Sequence, residues 1–217
     1  MSEMDIDHIF IFTDGGGKAA DDLVSFGLTE NESRVHDGQG TMNRTFVFEN
    51  FFFEILWVHN EREITSNNVL PTGLWTRANF KSNGTSPFGL CIDNTDPTNE
   101  LFKDAVHYQP DYFPDGMTID LLNNDQNLFL PLTFRLPFKR NRQQQSKLPG
   151  HKNKIRLLTK AAFQFTEESD HHFLDYFDRK AAIQFLQTDK IWLTLTFDNG
   201  CQGLTKTFNE LKLTIHY

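Results

Sequence analysis

The first sixty residues alternate between apolar segments and short polar breaks, a pattern that predicts a strand, a helix and two further strands. Residues 6–12 are apolar and rich in β-branched and aromatic side chains, which is typical of a strand. Residues 19–26 place apolar side chains at helical spacing, and Gly27 follows where a left-handed residue would end the helix. Residues 40–48 and 50–58 then predict two strands joined by a tight hairpin.

The last sixty residues predict the same order of elements. The pentapeptide Phe163–Glu167 (FQFTE) also resembles Phe10–Asp14 (FIFTD). Because order and local sequence agree, we expect the chain to contain a duplicated βαβββ module. The elements of this second copy are a strand over 157–165, a helix over 169–179, and strands over 181–185, 190–197 and 211–217.

Two different segments separate these halves. The central one is rich in turns and holds strand-like stretches at 88–92, 117–122 and 128–136. Residues 139–154 carry six Lys or Arg and no acid, which suits either a patch for an anionic partner or a solvated linker. We therefore predict four segments: a first βαβββ module at 1–69, central strands and a connecting segment at 70–138, a basic linker loop at 139–156, and a second βαβββ module at 157–217.

Composition and charge narrow the class of protein. The 217 residues are 38% hydrophobic and 23% charged, an ordinary globular composition, and 22 of them are Phe. The net charge of −8 argues against a nucleic-acid partner, since phosphate binding needs a basic field. Cys91 and Cys201 lack metal-type spacing, and neither a signal peptide nor a membrane-length apolar run is visible. We expect a cytoplasmic protein with a small-molecule ligand and no membrane partner, and a homodimer stays open.

Several stretches carry a family likeness. Residues 7–11 (DHIFI), 53–58 (FEILWV) and 35–50 (VHDGQGTMNRTFVFEN) are similar to the glyoxalase-like branch of the vicinal oxygen chelate superfamily, and to a bacterial group within it. Residues 86–91 and 211–217 resemble the same group. The resemblance implies an α+β fold in which paired βαβββ modules form a curled mixed sheet, a cup of the glyoxalase, bleomycin-resistance and dihydroxybiphenyl-dioxygenase type.

The resemblance also implies one divalent metal ion (Mn, Ni, Zn, Fe or Mg) in the cup, bound by His8 and Glu54 of the first module. The assumed repeat places Ala161 and Thr214 at the corresponding positions of the second module, and neither can replace those ligands. A metal-free cavity in which His8 and Glu54 form a polar pair is therefore equally open. The candidates for a further ligand are His216, which lies near Thr214 in sequence, and His36, His107 and Asp120.

Arg44 is the second residue to which the sequence draws attention. Strand alternation places it on the face of Phe46 and Phe48, where five N–H donors need an anionic partner. We predict that its guanidinium points into the cup near Glu54 and that Glu54 and Arg44 are catalytic. The predicted substrate-binding residues are His36, Gln39, Asn43, Arg44, Phe52 and Trp75.

Two functions follow from these residues. The first is a metal-dependent lyase, isomerase or dioxygenase that acts on a small oxygenated compound in the first-module cup. The alternative is a metal-free binding protein that sequesters a small molecule, as resistance proteins do. Fold alone does not decide between them, because function depends on the site.

Overall fold

The structure, a computed structural model, describes residues 6–122, 127–138, 150–167, 171–178 and 180–217, with backbone only at 171 and 172. Helices in this part of the chain are α1 (Ala19–Phe26), α2 (Glu61–Ile64), α3 (Leu74–Ala78), α4 (Phe80–Asn83) and α5 (His171–Asp178). The strands are β1 (Ile6–Phe12), β2 (Ser33–His36), β3 (Thr41–Val47), β4 (Phe52–Val58), β5 (Phe88–Ile92), β6 (Val106–Tyr108), β7 (Ile119–Leu121), β8 (Leu132–Arg135), β9 (Leu158–Phe165), β10 (Ile183–Gln187), β11 (Trp192–Phe197), β12 (Thr205–Phe208) and β13 (Leu213–His216).

Eight strands form the larger sheet, in the order β2-β3-β4-β1-β5-β8-β7-β6. Its two halves have the same topology, because β1 runs parallel to β4 and β5 runs parallel to β8. The halves meet where β1 pairs antiparallel with β5. The first half carries helix α1 after its first strand, and the second half carries a 3₁₀ turn, Asp96–Thr98, in that place. The predicted α+β fold with a curled mixed sheet is confirmed, and we call the concave face of this sheet the cup.

The partner of the first module, however, is the central segment and not residues 157–217. Strands β9 to β13 form a separate sheet in the order β10-β9-β11-β13-β12, which does not repeat the order β2-β3-β4-β1. Helix α5 returns the chain so that β10 pairs parallel with the strand it left, whereas α1 leads to β2 at the sheet edge. The predicted repeat between the two ends of the chain is therefore wrong, since a pattern of element types does not fix which strands pair.

The face of the larger sheet opposite the cup packs against α1, α5 and the second sheet. Ile9, Ile11 and Phe53 belong to this core, together with Phe163 and Leu193 of the second sheet. Side chains alternate along a strand, so the neighbours of these residues on β1 and β4 point the other way. This alternation is what brings His8, Phe10 and Glu54 to the cup.

Local predictions were accurate where the pattern was long. Helix α1 spans the predicted residues 19–26, and Gly27 ends it at φ 107° with its N–H on the carbonyl oxygens of Leu23 and Val24. The sequence missed α2 to α4, which are only four or five residues long, and the short strands β2, β6 and β12. Of the predicted helix over 169–179, the ends at 169, 170 and 179 lie outside the described residues, as do residues 139–149 of the predicted basic linker.

Candidate functional site

A cavity of about 210 Å³ lies in the cup, between the two halves of the larger sheet. Most of its wall is aromatic or aliphatic, and both halves contribute. Such a wall with a few polar groups is the usual form of a small-molecule site. Its polar and ionisable members are His8, Arg34, His36, Gln39, Glu54, Thr72, Tyr108 and Tyr112.

His8 is held in a fixed position on β1. A β-bulge between β1 and β5 lies at Asp7, and the Asp7 carboxylate contacts His8 Nδ1 at 2.6 Å. The imidazole stacks on Phe52 with ring centroids 4.4 Å apart and meets the edge of Phe134 at 5.3 Å. A carboxylate on Nδ1 fixes the orientation of the imidazole ring.

Glu54 is a carboxyl group buried in this wall, only 9% exposed. Burial raises its pKa, while the neighbouring His8 and the hydrogen bond from Asn43 act in the opposite direction. The Asn43 side-chain amide donates to Glu54 Oε1 at 3.1 Å. None of the described residues donates a hydrogen bond to the other oxygen, Oε2. A carboxyl with one anchored oxygen and a raised pKa suits proton exchange with a ligand.

A hydrogen-bond network closes one side of the cavity. The Tyr112 hydroxyl donates to Gln39 Oε1 at 2.8 Å, and Gln39 Nε2 donates to Thr41 Oγ1 at 2.8 Å. His36 Nδ1 lies 2.9 Å from the same Thr41 oxygen, and its ring stacks on Tyr112 at 5.7 Å. Burial, with the nearby charge of Arg34, lowers the pKa of His36 to about 4, so its imidazole is neutral at pH 7. The network joins the second half of the sheet to β2 and β3.

The structure brings most of the predicted site residues together. His8, His36, Gln39, Phe52 and Glu54 line the cavity. Asn43 contacts Glu54 and lines a second cavity that adjoins the first. Trp75 packs against the hydrophobic cluster that includes Phe10 and Phe134 of the cavity wall, but it does not line the cavity itself. Among the other histidine ligands considered, His107 lies 2.7 Å from Asp120 and outside the cavity wall.

The predicted position of Arg44 is wrong. Its guanidinium binds the Glu30 carboxylate at 2.6 and 2.8 Å and Asp21 at 2.8 Å, and it lines neither cavity. The alternation that groups Arg44 with Phe46 is correct, but that face of β3 is the one covered by α1. The opposite face of β3 carries Asn43 and Thr45, and Thr45 is paired with Glu54. Arg44 therefore fastens α1 to the sheet and is not placed to act in the cup.

His216 is also misplaced by the assumed repeat. It lies on β13 of the second sheet, contacts Thr205 Oγ1 at 2.8 Å and does not line the cavity. Ala161 and Thr214 belong to the same second sheet, so they are not the counterparts of His8 and Glu54. The counterparts of His8 and Glu54 lie on β5 and β8, because these strands correspond to β1 and β4 in the second half of the larger sheet.

The true second half gives different residues at the metal positions. Cys91 of β5 is directly opposite His8. Glu54 lies two residues beyond the β4 partner of His8, and Leu136 lies two residues beyond the β8 partner of Cys91. Burial raises the pKa of the Cys91 thiol well above its usual range, and Leu136 offers no ligand atom.

Three side chains at the base of β1 and β5 could approach a metal ion. Ligand atoms of Asp7, His8 and Cys91 lie within 4.8 Å of one another, and Asp7 also contacts His8 Nδ1. His8 and Glu54 are the two predicted ligands that line the cavity, and a catalytic zinc site ordinarily takes three protein ligands.

Four polar cavity residues were not singled out from the sequence as contacts for a ligand: Arg34, Thr72, Tyr108 and Tyr112. Arg34 was missed because strand β2 was not predicted. The alternation of Ser33–His36 was the available signal, since it places Arg34 and His36 on one face.

Comparison with known proteins gives one family and several similar structures. A family model described as a glyoxalase-like domain matches residues 6–128. A hypothetical protein from Staphylococcus aureus has a similar structure, with a TM-score of 0.62 and 13% identity over 97% of this chain and 98% of that chain. A Streptomyces coelicolor methylmalonyl-CoA epimerase in complex with 2-nitronate-propionyl-CoA has a TM-score of 0.40 and 16% identity, covering 62% of this chain and 97% of its own.

A hypothetical protein from Bacillus halodurans matches with a TM-score of 0.40 and 13% identity, over 63% of this chain and 95% of that chain. No curated protein matches the sequence. The described helices include none that is long and apolar enough to cross a membrane. The S. aureus structure shows that the fold described above extends over nearly the whole chain.

Proposed function

The chain belongs to the glyoxalase-like domain family of the vicinal oxygen chelate superfamily, and we propose that it catalyses proton transfer on a small oxygenated compound bound in the cup. The resemblance seen in the sequence is thus confirmed, while the reaction is our proposal. The observation that carries it is Glu54, a buried carboxyl with a raised pKa in a mostly apolar cavity. Isomerisation and elimination next to a carbonyl group are the reactions that such a base serves.

Each residue has a definite part in this proposal. Glu54 removes a proton from the carbon next to the carbonyl and returns it, because burial raises its pKa and a carboxylate of raised pKa is a stronger base. Asn43 fixes Oε1, so Oε2 is the oxygen that exchanges the proton. His8 is oriented by the Asp7 carboxylate at Nδ1, and as the doubly protonated imidazolium it donates from Nε2 to the carbonyl oxygen on which negative charge develops.

Proton exchange with solvent tests the proposal on model compounds and does not require the natural substrate. The protein is incubated in D₂O with a series of 2-oxo and 2-hydroxy acids and aldehydes, and deuterium at the carbon next to the carbonyl is followed by NMR. We expect catalysed exchange with at least one compound and a loss of 10²-fold or more in Glu54→Gln, on the order of a general acid–base contribution. Glu210→Gln, an exposed substitution beside the second sheet, is the matched control.

The other outcomes identify the alternatives. Compounds that bind the wild-type protein without any exchange would contradict proton transfer and indicate a sequestering protein. Exchange or turnover that requires added Mn²⁺, Ni²⁺, Zn²⁺, Fe²⁺ or Mg²⁺, with a higher unfolding temperature in that ion, would instead indicate the metal-dependent enzyme, because a ligand that binds the folded state raises stability.

A further inference from the structure

Arg34 lies where two cavities meet. The second cavity, about 260 Å³, is lined by polar side chains of β2 and β3 and adjoins the first along Arg34, His36, Phe52 and Glu54. Strand β2 forms the edge of the larger sheet, and Arg34 pairs there with Asn43. A ligand in the cup therefore reaches Glu54 and Arg34 from the same space.

Arg34 is an exposed residue at the rim of the two cavities, without a carboxylate bound directly to its guanidinium in the described part of the chain. It lies over the Tyr112 ring, 5.4 Å from the centroid, and within the described residues it makes no ion pair or side-chain hydrogen bond. Arg44 and Arg135, by contrast, bind carboxylates at 2.6 to 2.8 Å. A guanidinium that contacts an aromatic face keeps its N–H donors available for a bidentate contact with an anion.

Arg34 is the residue of the cavity wall whose charge suits the binding of an anion. It is the one Lys or Arg among the described residues that line the first cavity. His36 is neutral at pH 7 because burial lowers its pKa to about 4. A carboxylate without a partner is costly to bring into an apolar site, so an anionic ligand would have to place its charge against this guanidinium.

Tyr108 supplies a second, independent sign of a polar ligand. Its side chain is 6% exposed and lines the first cavity, yet its hydroxyl has no hydrogen-bond partner among the described residues. Burial raises the pKa of Tyr108 to about 12, so the hydroxyl stays a neutral donor. Buried hydroxyl groups are nearly always paired, which points to an oxygen atom of the ligand as the missing acceptor.

We propose that the ligand is a carboxylic acid with an apolar, ring-sized body, that Arg34 binds its carboxylate, and that Tyr108 donates to a further oxygen next to it. The inference rests on the proposed function only for the use of the same cavity. Size supports the ring: an engineered cavity of about 150 Å³ holds benzene, and 210 Å³ adds room for a short side chain. Arg34 is thus the residue that determines specificity for acids.

Binding of three matched probes tests this assignment. Affinities of 3-phenylpropanoate, 3-phenylpropanamide and 2-oxo-3-phenylpropanoate are measured by ligand-observed NMR or calorimetry. In the wild-type protein we expect the acid to bind at least tenfold more tightly than its neutral amide, equivalent to about 1.4 kcal/mol. The preference should vanish in Arg34→Gln, and Arg34→Lys should keep part of it, because lysine retains the charge but loses the fork. Arg62→Gln, an exposed arginine on α2, is the control.

Tyr108→Phe tests the second contact. We expect this variant to lose the extra affinity of the 2-oxo acid over the plain acid while it keeps the preference of acid over amide. Equal binding of acid and amide by the wild-type protein, a preference that survives Arg34→Gln, or no binding of any probe would each overturn the proposal. Deuterium exchange separates this from the proposed function: an Arg34-dependent acid preference without exchange would refute only the proton transfer, and exchange unaffected by Arg34→Gln would refute only the anion contact.

Discussion

Acid should destabilise this protein through His151, a histidine at the junction of the first module with the second sheet. His151 is 8% exposed, and its Nδ1 accepts a hydrogen bond from the backbone N–H of Thr29 at 2.9 Å. Its ring packs on Phe48 with centroids 4.3 Å apart. Burial lowers the pKa of His151 to about 4. The folded state therefore holds the neutral imidazole, whose Nδ1 must stay unprotonated to receive the Thr29 N–H.

The sign and size of the effect follow from linkage. In the unfolded chain the pKa of the His151 imidazole is near 6.5. Between that pH and about 4, the unfolded state therefore binds a proton that the folded state does not bind. Stability contributed by His151 is complete above pH 6.5 and is lost as the pH falls to about 4. A full shift would correspond to about 3.4 kcal/mol at 1.36 kcal/mol per unit. Allowing for partial solvent access, we expect a loss on the order of 2 kcal/mol.

Denaturant unfolding between pH 7.5 and 4 measures this loss. His151→Asn keeps an acceptor for the Thr29 N–H but cannot titrate, so the difference between its free energy of unfolding and that of the wild type should change with pH across this window. His36 titrates over the same range, but its contribution is present in both proteins and cancels. His59→Asn, an exposed position, is the control. A difference between His151→Asn and the wild type that stays constant from pH 7.5 to 4 would refute the linkage.

Two substitutions test the packing of the sheet on its two faces. Gly89→Ala would place a Cβ against Cε1 of Phe10, a ring of the cavity wall, so the ring must shift. We expect a loss of about 1–3 kcal/mol in stability and weaker binding of 3-phenylpropanoate, with Gly150→Ala, which meets no atom within 4 Å, as the control. Arg44→Ala should lower the free energy of unfolding by about 1 kcal/mol but leave the affinity for 3-phenylpropanoate unchanged. A tenfold loss of this affinity would indicate that Arg44 acts in the cup after all.

The parts of the fold that the sequence predicted well are those with long local patterns. β1, α1, β3 and β4 each extend over seven or eight residues, enough for periodicity and a glycine cap to locate them. Alternation along β4 likewise places Glu54 with Phe52 and Leu56, and all three line the cavity. These predictions needed only neighbouring residues, so they did not depend on how the strands pair.

The sequence was insufficient to predict which strands pair with one another. The two ends of the chain show the same order of elements, yet the strands that complete the cup are the short ones of the central segment, β6, β7 and β8, with three or four residues each. Segments this short have no measurable period, and their pairing depends on contacts distant in sequence. The same limit explains Arg44: alternation grouped it correctly with Phe46, but only the position of α1 decides which face of β3 is the cup.

The pairing that the structure reveals also explains why the cup is chemically one-sided. The two halves of the sheet share one topology, but His8 and Glu54 of the first half are opposed by Cys91 and Leu136 of the second. In our proposal the imidazole and the carboxyl act as acid and base, and the second half has no equivalent pair at the positions of Cys91 and Leu136. The second half instead contributes Tyr108, whose hydroxyl, unpaired within the described part of the chain, belongs to the wall of the same cavity. The shared topology of the two halves thus gives the cup its shape. In our proposals the first half carries the reacting side chains and Arg34, and the second half adds the Tyr108 hydroxyl as a further contact for the ligand.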